Sequence, residues 1–171
     1  MKSIARIFFL ACMLFFMREI NAQTCGTCSV NITSLDSSNY VVNSGETFCV
    51  DTTGNFIGTI TLNGGTICNN GIFNPLSITF SSGTISNNGN SSFRSSLIVP
   101  TNSQLSNNAD AVMNTNGFLT MNGGTLTNSG IMNVNQSVQN TSGSISNSGI
   151  MNCTQLTGSG SLSNTGKINT N

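Results

Sequence analysis

The cysteines are the side chains with the clearest chemical potential. Cys49 and Cys68 are 19 residues apart, and each directly follows an apolar residue that recurs at a similar interval along the chain. If that interval is one structural repeat, the two cysteines occupy the same outward position on adjacent strands, ~4.8 Å apart. That separation lies within the range that a disulfide can bridge. The spacing therefore predicts a Cys49–Cys68 disulfide.

Cys25 and Cys28 form a CxxC motif. The chain contains no His and no second CxxC, so the motif does not indicate a zinc site. A redox-active CxxC opens a helix in a βαβ unit, and no such unit is evident here. We expect a local Cys25–Cys28 disulfide that ties down an N-terminal cap. The competing arrangement pairs one of these cysteines with Cys49 or Cys68.

Ionisable side chains are scarce after residue 22, where four acids face two bases and the net charge is −2: Asp36, Glu46, Asp51, Asp110, Arg94 and Lys167. Too few Lys and Arg are present to displace counterions from nucleic-acid phosphates or to form a polybasic membrane anchor. Without His, the commonest general base and metal ligand is missing, and we expect no cofactor and no metal. Glu46 and Asp51 could pair for acid–base work in a degenerate polysaccharide-active enzyme, but solvated surface acids are the expectation.

Hydroxyl side chains form the third candidate chemistry. They flank the recurring apolar residue on both sides, in positions that point outward from a strand. A regular T-x-T face of this kind resembles the surface of β-helical ice-binding proteins, although Thr and Ser also simply suit exposed strands. The candidate binding face comprises Thr66, Thr84, Ser86, Thr125, Thr127, Ser144 and Ser146.

The recurring apolar residue defines a repeat that must position all of these groups. Its steps run from 17 to 21 residues and average 19, through Phe48, Ile67, Ile85, Leu105, Leu126, Ile145 and Leu162. Nineteen residues rich in Gly and Asn cannot hold two helices. The alternation of apolar and polar residues has period 2, as in a strand with one inward face. Cys153 replaces Val134 of the previous repeat, which predicts a buried free thiol.

The repeat predicts an all-β fold: a single-stranded parallel β-helix, or solenoid, of about seven coils averaging 19 residues with a short N-terminal cap. We place the cap with its CxxC at residues 23–40 and the repeats at 41–171. Each coil buries only a thin apolar column and depends on its neighbours for stability.

An asparagine stands two residues after the apolar anchor in nearly every repeat. Because it shares the parity of the anchor, it should point inward and form an amide ladder along the stack; the alternative is a turn residue that faces water. The predicted ladder comprises Asn69, Asn87, Asn107, Asn128, Asn147 and Asn164.

Two segments depart from the repeat. Residues 87–102 contain Arg94 and Pro100 and lack the regular motif, which predicts a loop that leaves the stack. Residues 1–22 begin with Lys2 and Arg6, continue with an apolar run that is too short to span a membrane, and end in small residues. This order is typical of a secretory signal peptide cleaved after Ala22.

The repeats "GGTLTNSGIMN", "SGSISNSGIMN" and "GGTICNNGIFN" resemble those of filamentous-haemagglutinin-type and autotransporter-passenger β-helices. The start "NAQTC" and the phrase "SGETFCVDTTGNFIGTITLNGGTICNNG" resemble secreted surface proteins of the Bacteroidetes. The resemblance covers residues 41 to 169 and implies a secreted or cell-surface adhesive stalk. A glycan or a cell-surface polymer is the expected partner, and the sequence does not identify which one.

Together these features predict a non-enzymatic, secreted or cell-surface structural and adhesive β-helix, with association at the outer-membrane surface as one location. It is not expected to be an integral membrane protein or to bind nucleic acid. The alternatives are an ice-binding module and a degenerate polysaccharide-active β-helix. The last coil, ending in "GKINTN", lacks a cap, which predicts end-to-end self-association or a fragment of a longer adhesin.

Overall fold

The computed structural model describes residues 25–171, so the predicted signal peptide at 1–22 lies outside the described residues. These residues contain strands and turns and no helix. In chain order the strands are β1 Val30–Ile32, β2 Leu35–Asp36, β3 Asn39–Asn43, β4 Thr47–Val50, β5 Asn55–Phe56, β6 Thr59–Asn69, β7 Ile72–Phe73, β8 Ser77–Asn87, β9 Asn90–Phe93, β10 Leu97–Pro100, β11 Ser103–Asn107, β12 Val112–Thr115, β13 Leu119–Asn122, β14 Thr125–Asn128, β15 Ile131–Val134, β16 Val138–Asn140, β17 Ser144–Asn147, β18 Ile150–Cys153, β19 Leu156–Gly158, β20 Ser161–Asn164 and β21 Lys167–Thr170.

Every pair of neighbouring strands is parallel, and the strands form three sheets that wind into about seven coils. The nine-stranded sheet has the order β1-β4-β6-β8-β11-β14-β17-β20, with β3 also paired to β6. The eight-stranded sheet has the order β2-β5-β7-β9-β12-β15-β18-β21, and the four-stranded sheet the order β10-β13-β16-β19. The predicted parallel β-helix is therefore confirmed.

The register of the strands follows the sequence repeat. Leu126 pairs with Ile145, and Ile145 pairs with Leu162, so the anchor residues stack one above another. The anchors of the preceding coils are buried in the same way, at 0 or 1 % exposure for Phe48, Ile67, Ile85 and Leu105. Leu162, in the last coil, is 48 % exposed. A one-residue slip would turn each anchor to the solvent, which fixes the register.

The predicted loop at residues 87–102 is wrong, because this segment stays in the stack as β9 and β10. Ser91 lies in register with Phe73 and Met113 and is too small to fill their column. Phe93 supplies the missing volume, with its ring centroid 6.1 Å from that of Phe73. Pro100 ends β10, which is an edge strand of the four-stranded sheet, where a missing N–H costs little.

The N-terminal part of the chain joins the solenoid earlier than the predicted boundary at residue 41. Strands β1, β2 and the start of β3 lie within residues 30–40 and pair with β4, β5 and β6 of the next coil. The Tyr40 ring packs on Phe48 and Phe56, with centroids 5.0 and 5.9 Å away. Its hydroxyl donates a hydrogen bond of 2.9 Å to Asp36. The first coil is thus joined to the second by strand pairing, and its Tyr40 ring packs against the aromatic rings of that next coil.

Glycine recurs at one corner because successive coils approach closely there. A Cβ added at Gly149 would lie 2.1 Å from the carbonyl oxygen of Gly130, and one at Gly130 would lie 2.3 Å from that of Ala111. No real Cβ fits at such distances. Glycine at positions 130 and 149 is therefore required by backbone-to-backbone contact, and it keeps the columns of neighbouring side chains aligned.

Candidate functional site

The predicted asparagines form a continuous inner amide ladder, which confirms that interpretation. Each Nδ2 donates to the Oδ1 of the next ladder residue, at distances of 2.7, 2.9, 2.8, 2.7 and 2.7 Å from Asn69 to Asn164. The second hydrogen of Nδ2 reaches a backbone carbonyl one coil on, as from Asn128 to Ile150 at 3.0 Å. All but the last member are buried. The amides satisfy one another, so the ladder stabilises the solenoid corner.

Two outer amide ladders lie on the surface. One joins Asn114, Asn133, Asn152 and Asn169 through Nδ2–Oδ1 hydrogen bonds of 2.8, 2.7 and 2.6 Å along the eight-stranded sheet. The other joins Asn70, Asn88 and Asn108 at 2.9 and 2.6 Å, beside the nine-stranded sheet. Sequence reasoning did not predict these ladders. For the first ladder the signal was the recurrence of Asn after the second apolar position of the repeat, and for the second it was the Asn-Asn pairs at 69–70, 87–88 and 107–108.

The predicted disulfide pairing is wrong. The bonds join Cys25 to Cys68 and Cys28 to Cys49, with Cα–Cα distances of 5.6 and 5.8 Å. The competing arrangement, in which a CxxC cysteine pairs with a repeat cysteine, describes the structure better. The predicted register is correct, since Cys49 and Cys68 face each other on adjacent strands.

The pairing has a geometric cause. In-register parallel strands point equivalent side chains in the same direction, so Cys49 and Cys68 both project outward, side by side. A disulfide prefers Cβ atoms that approach each other with a dihedral near 90°. Residues 25–28, hereafter the arm, cross above this column and present their thiols to it from outside. The arm buries Cys49 and Cys68 to 2 and 5 % exposure.

The remaining cysteine among the described residues, Cys153, is a buried free thiol, as predicted. Burial raises the pKa of the Cys153 thiol above its ordinary value. The thiolate is therefore scarce at neutral pH, and this cysteine has no feature of a nucleophile.

The seven residues of the candidate binding face lie on the outer side of the nine-stranded sheet, which we call the hydroxyl face. One column contains Thr47, Thr66, Thr84, Gln104 and Thr125, and the next contains Cys68, Ser86, Ser106 and Thr127, each in register with the following strand. In β14 the pattern alternates between exposed hydroxyls and buried Leu126 and Asn128.

A groove of about 440 Å³ lies on the hydroxyl face. It brings together four of the predicted face residues, Thr66, Thr84, Ser86 and Thr127. Thr125, Ser144 and Ser146 continue the same columns but do not line the groove. Gln104, Ser106 and Asn108 complete its floor and side, and Cys25 and Gly26 of the arm also line it. Among residues 25–171, no charged side chain lines the groove.

The carboxylates accept hydrogen bonds from nearby backbone groups. Glu46 accepts from the Asn43 backbone N–H at 2.6 Å, and Asp51 accepts from that of Thr52 at 2.7 Å. A backbone hydrogen bond from Ser38 lowers the pKa of Asp36, and the bond from Tyr40 adds to this effect. Between residues 25 and 171, no three His, Cys, Asp or Glu side chains come together in a group that could hold a metal ion.

Comparison with family models, with curated proteins and with solved structures finds no match to this chain. Within the described residues, no helix has the length and apolar character needed to cross a membrane. The repeat architecture, the two disulfides and the groove are thus the features on which a function can be argued.

Proposed function

We propose that this protein is a secreted or cell-surface structural β-helix that adheres to neutral glycans through the groove on its hydroxyl face, without catalysing a reaction. The observation that carries the proposal is the lining of the groove. Within the part of the chain that the structure describes, it consists of hydroxyl and amide side chains, glycine and one disulfide, and contains no charged group. Such a surface complements a ligand that is rich in hydroxyls and uncharged.

The spacing of the groove supports a linear polymer as the ligand. Equivalent hydroxyls repeat in each coil at ~4.8 Å along the solenoid axis. This interval is comparable to the length of one sugar unit in an extended chain, so successive units can meet successive coils. Each coil provides both donors and acceptors, as for Gln104 and Ser106. Weak contacts repeated along a rod produce avidity, which suits an adhesive role.

The disulfides and the composition support the proposed location. Two disulfides in a small domain are typical of an oxidising compartment outside the cytosol. Residues 1–22 have the charged, apolar and small-residue order that is typical of a secretory signal peptide, which stays a prediction. The expected end-to-end association through the last coil stays a prediction.

Binding to immobilised neutral polysaccharides tests the proposal. We expect Gln104→Ala and Ser106→Tyr to weaken binding severalfold, because the first removes an amide from the groove and the second fills it. Gln139→Ala is the matched control, since Gln139 lies in β16 on the four-stranded sheet, away from the groove. Equal binding by the groove variants and the control would overturn the proposal, as would absence of binding to every neutral polysaccharide tested.

Ice binding is the second candidate, and a specific observation favours it. Thr66, Thr84 and Thr125 share one column of the hydroxyl face. Gln104 interrupts this column, however, and the face is grooved where an ice plane is flat. Thermal hysteresis of the purified protein separates the candidates, since only ice binding produces it.

A further inference from the structure

The arm covers one of the two columns of the hydroxyl face. Cys49, Cys68, Ser86 and Ser106 occupy successive positions of this column. The first two carry the disulfides to Cys28 and Cys25, so the arm runs along the column over these two coils. From Ser86 onward the column is open and lines the groove.

The groove therefore has two different ends. At the arm, Cys25, Gly26 and the Cys25–Cys68 disulfide close one column, and only the neighbouring column continues beside the arm, through Thr66 and Thr47. At the opposite end the two columns continue as exposed hydroxyls, as in Ser144 and Ser146 of β17. A polymer two columns wide can extend past one end and not past the other.

An outer amide ladder runs from the closed end along the coils beside the groove. Asn88 donates to Oδ1 of Asn70 at 2.9 Å, and Asn70 donates to Sγ of Cys25 at 3.2 Å. This outer ladder continues along the side of the groove to Asn108, which donates to the Ser86 hydroxyl at 3.1 Å. A unit that abuts the arm thus meets the hydroxyls of Thr84 and Ser86 below it and the disulfide ahead of it, and the amides that line the groove, Gln104 and Asn108, belong to the next coil.

We propose that the groove recognises the terminal unit of a linear neutral glycan, seated against the Cys25–Cys68 disulfide, and not the interior of the chain. This inference rests on the proposed glycan-binding function, and it specifies which part of the glycan chain is bound. An internal unit that occupied both columns would need the chain to continue through the arm, whereas a terminal unit has no further sugar to place there.

Competition between short and long chains of one linkage tests the inference. The probes are a neutral hexaose and a soluble linear polymer of the same linkage, drawn from the β-1,4-xylose, β-1,4-mannose and β-1,3-glucose series. With end recognition, the two inhibit equally per mole of chain. At equal mass the hexaose is then the stronger inhibitor, by the ratio of the chain lengths. Equal inhibition per unit mass would overturn end recognition and leave glycan binding intact. Failure of every series to bind would overturn both proposals.

Paired variants test whether the Cys25–Cys68 disulfide, which forms the end wall of the groove, selects chain ends. Cys25→Ser with Cys68→Ser releases the arm at the groove and keeps the Cys28–Cys49 bond. Cys28→Ser with Cys49→Ser also loses one disulfide but keeps the wall. We expect the first pair to lose the preference for the hexaose and the second pair to retain it. Loss in both pairs, or retention in both, would show that the wall does not select chain ends. The wild-type competition requires no variant and stands if either pair misfolds.

Discussion

The coils up to Phe93 and the coils from Thr125 onward share one backbone geometry but are held together by different contacts. The first region contains a chain of aromatic contacts and both disulfides: Tyr40, Phe48, Phe56, Phe73 and Phe93 lie with neighbouring centroids 5.0 to 6.1 Å apart. The second region packs methionine inside instead, as in Met132 with Met151, whereas the inner asparagine ladder runs through both regions.

The difference follows from the position of each region along the stack. An interior coil is stabilised by a neighbour on each side, so identical small contributions suffice. The first described coil packs against one following coil, and there the chain adds large rings and covalent bonds. Tyr40 is the single tyrosine and tryptophan is absent from the sequence, so tyrosine fluorescence reports on the first region alone. Far-UV circular dichroism reports on both regions.

Truncation of the aromatic core should produce the largest effect. Phe73 is fully buried and contacts the rings of Phe56 and Phe93. We expect Phe73→Ala to lower the free energy of unfolding by about 4 kcal/mol. In urea titrations, tyrosine fluorescence should change at lower denaturant than in the wild type. Met132→Ala is the control in the second region, and it should leave the tyrosine transition nearly in place. Equal shifts of that transition by both variants would mean that the regions unfold as one unit.

Loss of a disulfide should come next. Cys28→Ser with Cys49→Ser opens a loop of 21 residues in sequence separation. A loop of that size corresponds to about 3 kcal/mol of stabilisation. We expect the tyrosine transition to move to lower urea while the dichroism of the other coils persists. Loss of the tyrosine signal and the circular dichroism at the same urea concentration would contradict the idea that the disulfide stabilises the first region independently of the other coils.

The inner and outer amide ladders should differ in a matched comparison within the second region. Asn128→Ala removes a buried amide that donates to Asn147 and Ile150, and it leaves Asn107 without one acceptor. We expect a loss of about 2 kcal/mol from these unsatisfied groups. Asn133→Ala, in the half-exposed outer ladder, should cost about 0.5 kcal/mol because water replaces its partners. If the two variants lost the same free energy of unfolding in urea, burial would not decide how much a ladder amide contributes to stability.

The pH dependence of the first coil should be the smallest effect. The pKa of Asp36 is lowered by its hydrogen bonds, so its contribution is present above the unfolded pKa and is lost as pH falls through the folded pKa. The pKa of Tyr40 is raised, first by its bond to Asp36, so its contribution is present below the unfolded pKa and is lost as pH rises through the folded pKa.

Stability reported by Tyr40 should therefore be flat at neutral pH and fall slightly in acid and in strong base. Tyr40→Phe should abolish the alkaline part, read by circular dichroism in urea. An alkaline loss of the same size in Tyr40→Phe would show that another group carries it.

Most of the solenoid could be predicted because it repeats. The anchor spacing specifies the strand register, and the parity of Asn128 with Leu126 specifies an inward amide. The repeat did not predict the strands in residues 87–102. There Ser91 is small where its column holds Phe73 and Met113, and Phe93 is large where its column holds Thr115. Compensation of volume between two columns is visible only once the columns are placed side by side.

The hydroxyl face was predictable as a row of outward residues, but the groove was not. Its end wall comes from Cys25 and Gly26, which are far in sequence from Thr84 and Ser106. Nothing in the local pattern indicates that a segment before the first coil folds back over the outside of the third.

The sequence by itself determined the periodic part of this protein: which side chains point inward, which point outward, and which residues share a column. These properties follow because a residue at a given place in each repeat meets its own equivalent in the next coil. The tertiary structure alone decided the pairing of the cysteines and the closed end of the groove. Both depend on the path of the arm, which is not repeated, and its position is determined by contacts with distant residues.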